Sequence, residues 1–155
     1  RVEEQAEAWR ALQALPNVHQ LGPVDVSQVP NYVKGFQVGL MPYLQNRHSE
    51  HISPLKLYDY LAAGLPVASM DIPAAREFDS YVHLANRPEN FAHAVSAALG
   101  DTTPKRRQAR RSAAAQHTWE ARVEQLSELI EARLAAKDQS TTPFRWPANL
   151  LDHHC

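Results

Sequence analysis

Short apolar segments alternate with helical patterns along this chain, and this alternation restricts its fold more than any other feature does. The apolar segments have the length of buried strands and are bounded by Gly, Pro and polar residues. Strands that alternate with helices predict a parallel sheet with flanking helices, a Rossmann-like α/β fold. The four predicted strands are residues 18–22, 37–43, 66–69 and 81–85.

Apolar spacing and capping residues predict helices between and after these strands. Asp25 or Ser27 is expected to cap a short helix that ends at Gly35, and "DIPAAREF" is expected to form a turn or a short helix. The remaining predicted helices are residues 2–15, 54–63, 88–99, 105–116 and 119–136. We therefore expect one domain over residues 1–136 and a disordered tail over residues 137–155, where no periodicity is left.

Composition argues against several classes of protein. A formal net charge of −1 over 155 residues gives no reason to expect a nucleic-acid partner. The one cysteine, Cys155, cannot form an internal disulfide, which favours a reducing, cytoplasmic location. No apolar run approaches the roughly 18 residues of a membrane span, and no signal-peptide pattern opens the chain. Because Arg1 leads directly into a helical pattern, we expect the chain to be cut from a longer protein.

The segment "SPLKLYDYLAAGLPVAS" (residues 53–69) carries the signals of a helix followed by a strand. Ser53 is expected to be the N-cap, because its hydroxyl can accept a hydrogen bond from an otherwise unpaired N–H. Pro54 suits the first helical position, and Gly64 suits the left-handed position just past the helix end. Helical spacing turns Leu57 and Leu61 towards the predicted sheet.

The first turns of this helix carry groups that suit a nucleotide. The N–H groups of Leu55 and Lys56, the Ser53 hydroxyl and the positive end of the helix dipole form an anion cradle, to which Lys56 adds a cation. Asp59 can accept hydrogen bonds from a vicinal diol such as a ribose. The helix also starts just past the end of a strand, where α/β sheets bind ligands. The alternative is a capped surface helix with a solvated Lys–Asp pair.

Two other polar clusters are candidate binding sites. The basic segment "KRRQARR" (residues 105–111) could contact phosphate or an anionic membrane, but its charges spread around the helix, which favours a solvated face. His48 and His51 lack a second pair of ligands at metal-site spacing, so no metal is predicted there. The five glycines form neither a GxGxxG motif nor a P-loop, and no catalytic arrangement can be identified.

A longer stretch of the chain resembles a known family. The segments "NVHQLGPVDVSQVPNYVKGFQVGLMPY", "SPLKLYDYLAAGLPVAS", "REF", "YVHLA" and "PENFAHAVSAAL" are similar to the donor-binding C-terminal half of GT-B-fold glycosyltransferases, the family 4-like or group 1 enzymes. The segment "HTWEARVEQLSELI" is similar to their closing helix. The resemblance implies a truncated GT-B half that begins after the strand, loop and basic pair that bind the diphosphate.

The resemblance also implies roles for particular residues. In this family two acidic residues in an E-x7-E pattern hold the donor, and the second of them, which contacts the ribose, falls on Asp59. The first falls on His51, which departs from the pattern and leaves the contacts to the transferred sugar open. The stretch that contacts the base falls near Pro23 and Val24. Ser53, Pro54, Leu55 and Lys56 would form the phosphate side of the site.

By this resemblance the chain is the donor-binding part of a hexosyltransferase-like enzyme. It would help to transfer a sugar from a nucleotide diphosphate-sugar to a glycan or lipid acceptor, which a missing N-terminal domain would hold. No cofactor or metal is expected, the catalytic residues are unknown, and the enzyme would be cytoplasmic with peripheral membrane contact. The fragment alone is expected to be inactive and poorly stable. The alternatives are a nucleotide-sugar epimerase of GT-B fold and a non-catalytic binding module.

Overall fold

Three parallel strands form the sheet in the computed structural model, which describes the backbone of residues 2–140 and the side chains of residues 6–137. The strands β1 (Gly39–Met41), β2 (Val67–Met70) and β3 (Val82–Ala85) lie side by side in sequence order. Gly39 pairs with Val67, and Val67 pairs with Val82. The parallel pairing and the flanking helices confirm the predicted Rossmann-like α/β class.

Seven α-helices are present in the described residues. A 3₁₀ turn at Val26–Gln28 precedes α2, and Asp25 caps this turn by accepting a hydrogen bond from the backbone N–H of Ser27. The helices are α1 (Val2–Gln13), α2 (Val29–Lys34), α3 (Leu55–Ala63), α4 (Pro73–Arg76), α5 (Phe91–Gly100), α6 (Pro104–Ala115) and α7 (Trp119–Ser140). These bounds confirm the predicted helices to within a few residues at their ends.

Helices cover the sheet on both faces. Every residue of the central strand β2 is buried, as expected for a parallel strand with helices on each side. On one face Leu57 and Leu61 of α3 pack with Val67 and Ala114, which confirms the predicted inward side of α3. On the other face α5 packs its alanines against the small residues of β2 and β3.

The predicted strand at residues 18–22 is wrong. These residues form an irregular segment that pairs with no strand of the described chain, and Leu21 remains 61% exposed. An isolated segment with strand-like residues cannot form a strand, because a strand needs a hydrogen-bonded neighbour. Helix α7 extends to Ser140, four residues past its predicted end, and residues 141–155 of the predicted tail lie outside the described residues.

Helix α7 exposes an apolar stripe. Val123, Leu126 and Ile130 are each more than half exposed. Apolar side chains spaced in this way normally lie against another surface. None of the helices between residues 2 and 140 has the length and apolar character that crossing a membrane requires.

Two glycines fix the position of α3. Gly64 ends the helix with φ of 80°, which confirms the predicted left-handed position. Gly39 begins β1 under the ring of Tyr60, and a Cβ at Gly39 would overlap that ring. The absence of a side chain at Gly39 therefore allows α3 to pack directly on the strand.

We expect Gly39→Ala to lower the free energy of unfolding by about 1–3 kcal/mol, the usual cost of overpacking a core. Urea unfolding of the protein measures this change. Gly100→Ala is the matched control, because a methyl group there meets no atom within 4 Å and φ is not positive. Equal midpoints for the two variants would mean that Tyr60 can move aside.

Candidate functional site

Helix α3 starts one residue later than the sequence predicts. Pro54 is the N-cap residue and has an extended conformation, and its carbonyl accepts a hydrogen bond from the Leu57 N–H at 3.0 Å. The predicted N-cap Ser53 is therefore wrong, as is Pro54 at the first helical position. The Ser53 hydroxyl instead lies 3.4 Å from the Tyr58 hydroxyl. No side chain within residues 6–137 caps α3, so the N–H groups of Leu55 and Lys56 have no side-chain acceptor among them.

Aromatic packing holds this end of α3 in place. The ring of Tyr58 meets the ring of Phe78 edge-on, with 5.7 Å between centroids, and it also contacts His117. Phe78 is buried in the core beside α4, and His117 follows α6. The segments that follow α4 and α6 therefore hold this end of α3, which carries Lys56 and Asp59.

The loop between β1 and α3 is closed by its own side chains. Ser49 is buried, and its hydroxyl donates to the Asn46 carbonyl and accepts from the Asn46 N–H. The Ser49 N–H in turn donates to the Asn46 side chain. The Gln45 side chain donates to the Asp71 carbonyl, which joins the loops that follow β1 and β2. The carboxyl ends of these two strands thus carry connected loops.

A groove runs between α2, α3 and the irregular segment around Gly22. We call this cavity, of about 260 Å³, the Lys56 groove. Its walls are mostly apolar, and its polar side chains are Lys56, Asp59 and the tyrosine hydroxyls. The lining residues are Leu21, Gly22, Val24, Val29, Tyr32, Val33, Phe36, Lys56, Asp59 and Tyr60.

The two charged residues of the groove do not pair with each other. The Lys56 ammonium lies 5.0 Å from the centre of the Tyr43 ring, a cation–π contact just past the end of β1. Within residues 6–137, the Asp59 carboxylate has neither an ion pair nor a hydrogen bond. The solvated Lys–Asp pair that the sequence left open is therefore absent, and both side chains face the groove.

Tyr60 supplies a hydrogen-bond donor to the groove. Its side chain is half-buried, and burial raises the pKa of its phenol, with smaller contributions from the negative charge of Asp59 and from Tyr43. The phenol is therefore protonated at neutral pH and can donate a hydrogen bond.

The structure brings together only part of the predicted site. Val24, Lys56 and Asp59 line one cavity, although Val24 is more than thirty positions away in the chain. Pro23 and His51 are exposed and do not line the groove. Ser53, Pro54 and Leu55 lie at the start of α3, outside the lining of the groove.

Sequence reasoning missed the aromatic walls of the groove. Val29, Tyr32, Val33 and Phe36 recur at helical spacing and share one side of α2 and its C-terminal turn. That spacing could have identified the face of α2 that lies against α3. It could not have shown that this face opens onto Lys56 and Asp59.

A basic cluster that the sequence assigned to solvent is partly buried. Arg110 of the segment 105–111 is fully buried, and Arg106 forms a two-pronged ion pair with Asp101. The predicted solvated face is therefore wrong for these two residues, because Asp101 follows α5 and faces α6. The hydrogen bonds from Arg106 hold the pKa of the Asp101 carboxyl below its ordinary value, and Arg110 and His83 lower it further.

The chain is similar to known proteins over most of its length. The family model described as glycosyl transferase-like matches residues 3–128. TuaH of Bacillus subtilis (strain 168), whose name assigns it to teichuronic acid biosynthesis as a glycosyltransferase, is 34% identical over 119 residues. The match covers 72% of this chain but only 30% of TuaH. No solved structure matches the chain.

Proposed function

Because the chain belongs to the glycosyl transferase-like family, we propose that it forms the donor-binding part of a glycosyltransferase. The reaction moves a sugar from a nucleotide diphosphate-sugar to a glycan or lipid acceptor. One observation carries this proposal: an unpaired carboxylate and a cation lie in the same mostly apolar groove. Since the chain spans 30% of the length of TuaH, the acceptor and the complete activity belong to the proposal.

The phosphate side of the proposed site is the start of α3. The N–H groups of Leu55 and Lys56 have no side-chain cap, and the positive end of the helix dipole favours an anion there. The Lys56 ammonium adds a full positive charge and stays accessible above Tyr43. Ser53 and Pro54 precede these N–H groups and belong to the phosphate side of the proposal. These groups stabilise the negative charge that develops on the departing diphosphate, and the proposal includes no metal or other cofactor.

The nucleoside side of the proposed site is the groove. The Asp59 carboxylate accepts hydrogen bonds from the two ribose hydroxyls, since it has no partner of its own among the described residues. Val24, Tyr32 and Phe36 provide apolar and aromatic surface for a base, and Pro23 directly precedes Val24 in the chain. An aromatic wall accepts any base face, so the walls give affinity without selecting the base.

We expect His51→Glu to change the preference among donor sugars while leaving the affinity for the nucleotide unchanged. His51 occupies the position of the first acidic residue of the family pattern, and its side chain lies outside the groove. Competition between nucleotide-sugars that share a base measures this effect. An unchanged ranking of donors would place His51 away from the transferred sugar.

Turnover of nucleotide-sugars tests the proposed function. A form of the protein that includes the proposed acceptor-binding domain is incubated with a panel of nucleotide diphosphate-sugars and with glycan or lipid acceptors, and the released nucleoside diphosphate is measured. We expect acceptor-dependent release that Asp59→Ala lowers. Interconversion of the sugar without release would indicate an epimerase. Binding without either reaction would indicate a non-catalytic module.

The proposal also includes the location of the enzyme in the cell. The enzyme would act in the cytoplasm, and a lipid acceptor would bring it into peripheral contact with a membrane. Arg106 and Arg110 do not contribute a basic surface for such contact, because both face Asp101. Nucleic acid is not among the proposed partners.

A further inference from the structure

A second cavity lies at the opposite end of the sheet from Lys56. It has a volume of about 270 Å³ and opens beside Gln37 and Pro66, which precede β1 and β2. Helices α2 and α3 end at this cavity, and α6 crosses it. Three of its lining side chains are basic, namely those of Lys34, Arg107 and Arg110.

Arg110 has donors that no group of the described chain uses. Its side chain is fully buried, and its Nη2 atom bonds to the carbonyl and the carboxylate of Asp101. Its Nε and Nη1 atoms donate to no acceptor in the described residues. Buried guanidinium donors nearly always have partners, since leaving a charged donor unpaired is costly. Arg110 thus retains unused hydrogen-bonding capacity and a buried positive charge beside the cavity that it lines.

Positive charge exceeds negative charge around this cavity. Asp101 is shared between Arg106 and Arg110, so one carboxylate faces two guanidinium groups. Lys34 and Arg107 form no ion pair within residues 6–137. The carbonyl ends of α2 and α3 carry only about half a negative charge each. At α3 this partial charge is already compensated by Arg111, which donates a hydrogen bond to the Ala63 carbonyl at 3.3 Å.

We propose that this cavity is a second anion site, in which Lys34 and Arg107 contact a phosphate-type oxyanion and the buried charge of Arg110 attracts it. Guanidinium groups and ammonium groups are the side chains that proteins use for phosphate oxygens. The Thr102 side chain also lines the cavity and adds a hydroxyl donor. The site differs from the Lys56 groove in position and in every charged residue.

Calorimetric titration with inorganic phosphate at constant ionic strength tests this site. The protein carries Lys56→Met throughout, so that phosphate binding at the start of α3 is weakened. We expect Arg107→Met to lower the phosphate affinity at least about tenfold, because one of three cations is lost. Methionine keeps the part of the side chain that packs on Gly64. Lys105→Met is the matched control, because Lys105 is exposed on the same helix and lies outside the cavity. This variant should bind phosphate with unchanged affinity.

A second variant makes the result independent of the packing of α6. Lys34→Met changes an exposed side chain at the end of α2 and should lower the phosphate affinity by a similar factor. The proposal is overturned if the Lys56→Met protein binds no phosphate. It is also overturned if Arg107→Met and Lys34→Met both bind phosphate as tightly as Lys105→Met does.

Discussion

Replacing Asp101 by alanine is expected to lower the free energy of unfolding by about 3 kcal/mol or more. The carboxylate accepts two-pronged hydrogen bonds from Arg106 and lies 3.2 Å from the buried guanidinium of Arg110. It also contacts His83 at 3.3 Å. Without this carboxylate the charge of Arg110 stays buried and uncompensated, which is the costly way to break an internal ion pair. Urea unfolding of the protein measures the change.

Asp71→Ala is the matched control for this prediction. Asp71 forms an ion pair with Arg76 at 2.6 Å, but the Arg76 side chain is 59% exposed. Exposed pairs of this kind contribute at most about 1 kcal/mol. If Asp101→Ala lowered the free energy of unfolding no more than Asp71→Ala does, the buried charge of Arg110 would not need the Asp101 carboxylate.

The ion pairs of Asp101 also predict that the free energy of unfolding depends on pH. Because the folded protein lowers the pKa of Asp101, its stabilising contribution is complete above the pKa of the unfolded carboxyl, near 4. The contribution is lost as the pH falls through the lower pKa of the folded state. The stability difference between the wild-type protein and Asp101→Ala should therefore be constant from pH 7 to 5 and shrink in stronger acid. A difference that does not change in acid would contradict the lowered pKa.

Replacing Asp59 by alanine is expected to weaken the binding of a nucleoside diphosphate by about 1–3 kcal/mol, the range for losing a charged hydrogen-bond partner. The fold should not change, because Asp59 is exposed while Leu57 and Leu61 form the buried side of α3. Calorimetric titration measures the affinity, with the nucleoside diphosphate that the wild-type protein binds best.

The dideoxyribose form of the same nucleotide gives the control for Asp59. It lacks the two hydroxyls that the carboxylate is proposed to hold. The wild-type protein and Asp59→Ala should therefore bind the dideoxyribose form with nearly equal affinity. An equal loss for the ribose and dideoxyribose forms would show that Asp59 acts by charge and not by contact with the ribose. No loss for either form would remove Asp59 from the site.

Helix α3 and its side towards the sheet could be predicted from the sequence, because local signals determine both. Leu57 and Leu61 recur at helical spacing, and Gly64 meets the need for a left-handed residue. The starting residue of the helix could not be predicted. Ser53 is a good N-cap by type, but its hydroxyl lies beside Tyr58, whose ring packs on Phe78 in the turn after α4.

The errors at residues 18–22 and at Arg110 share one cause. A strand depends on a neighbour elsewhere in the chain, and the composition of residues 18–22 contains no information about that neighbour. Arg110 is buried because Asp101, nine positions earlier, folds back against α6. Helical periodicity describes the surface of one helix and does not reveal what another element brings to it.

The candidate site shows the same division. The sequence predicts that Lys56 and Asp59 lie near each other, because they are about one helical turn apart on α3. The groove itself also requires Val24 of the irregular segment, and Tyr32 and Phe36 of α2 and the turn that follows it. The resemblance to a family pointed to Val24, whereas the aromatic walls became visible only when α2 was placed against α3.

A single pair of titrations shows whether Lys56 holds the diphosphate of a donor. The affinities of the protein for a nucleoside diphosphate and for the corresponding nucleoside are measured in the wild-type, Lys56→Met and Lys105→Met proteins. We expect Lys56→Met to weaken the diphosphate at least about tenfold more than the nucleoside, since only the diphosphate carries the charge that the ammonium contacts. Lys105→Met should change neither affinity. Equal losses for both ligands in Lys56→Met, or none, would contradict a donor site at the start of α3.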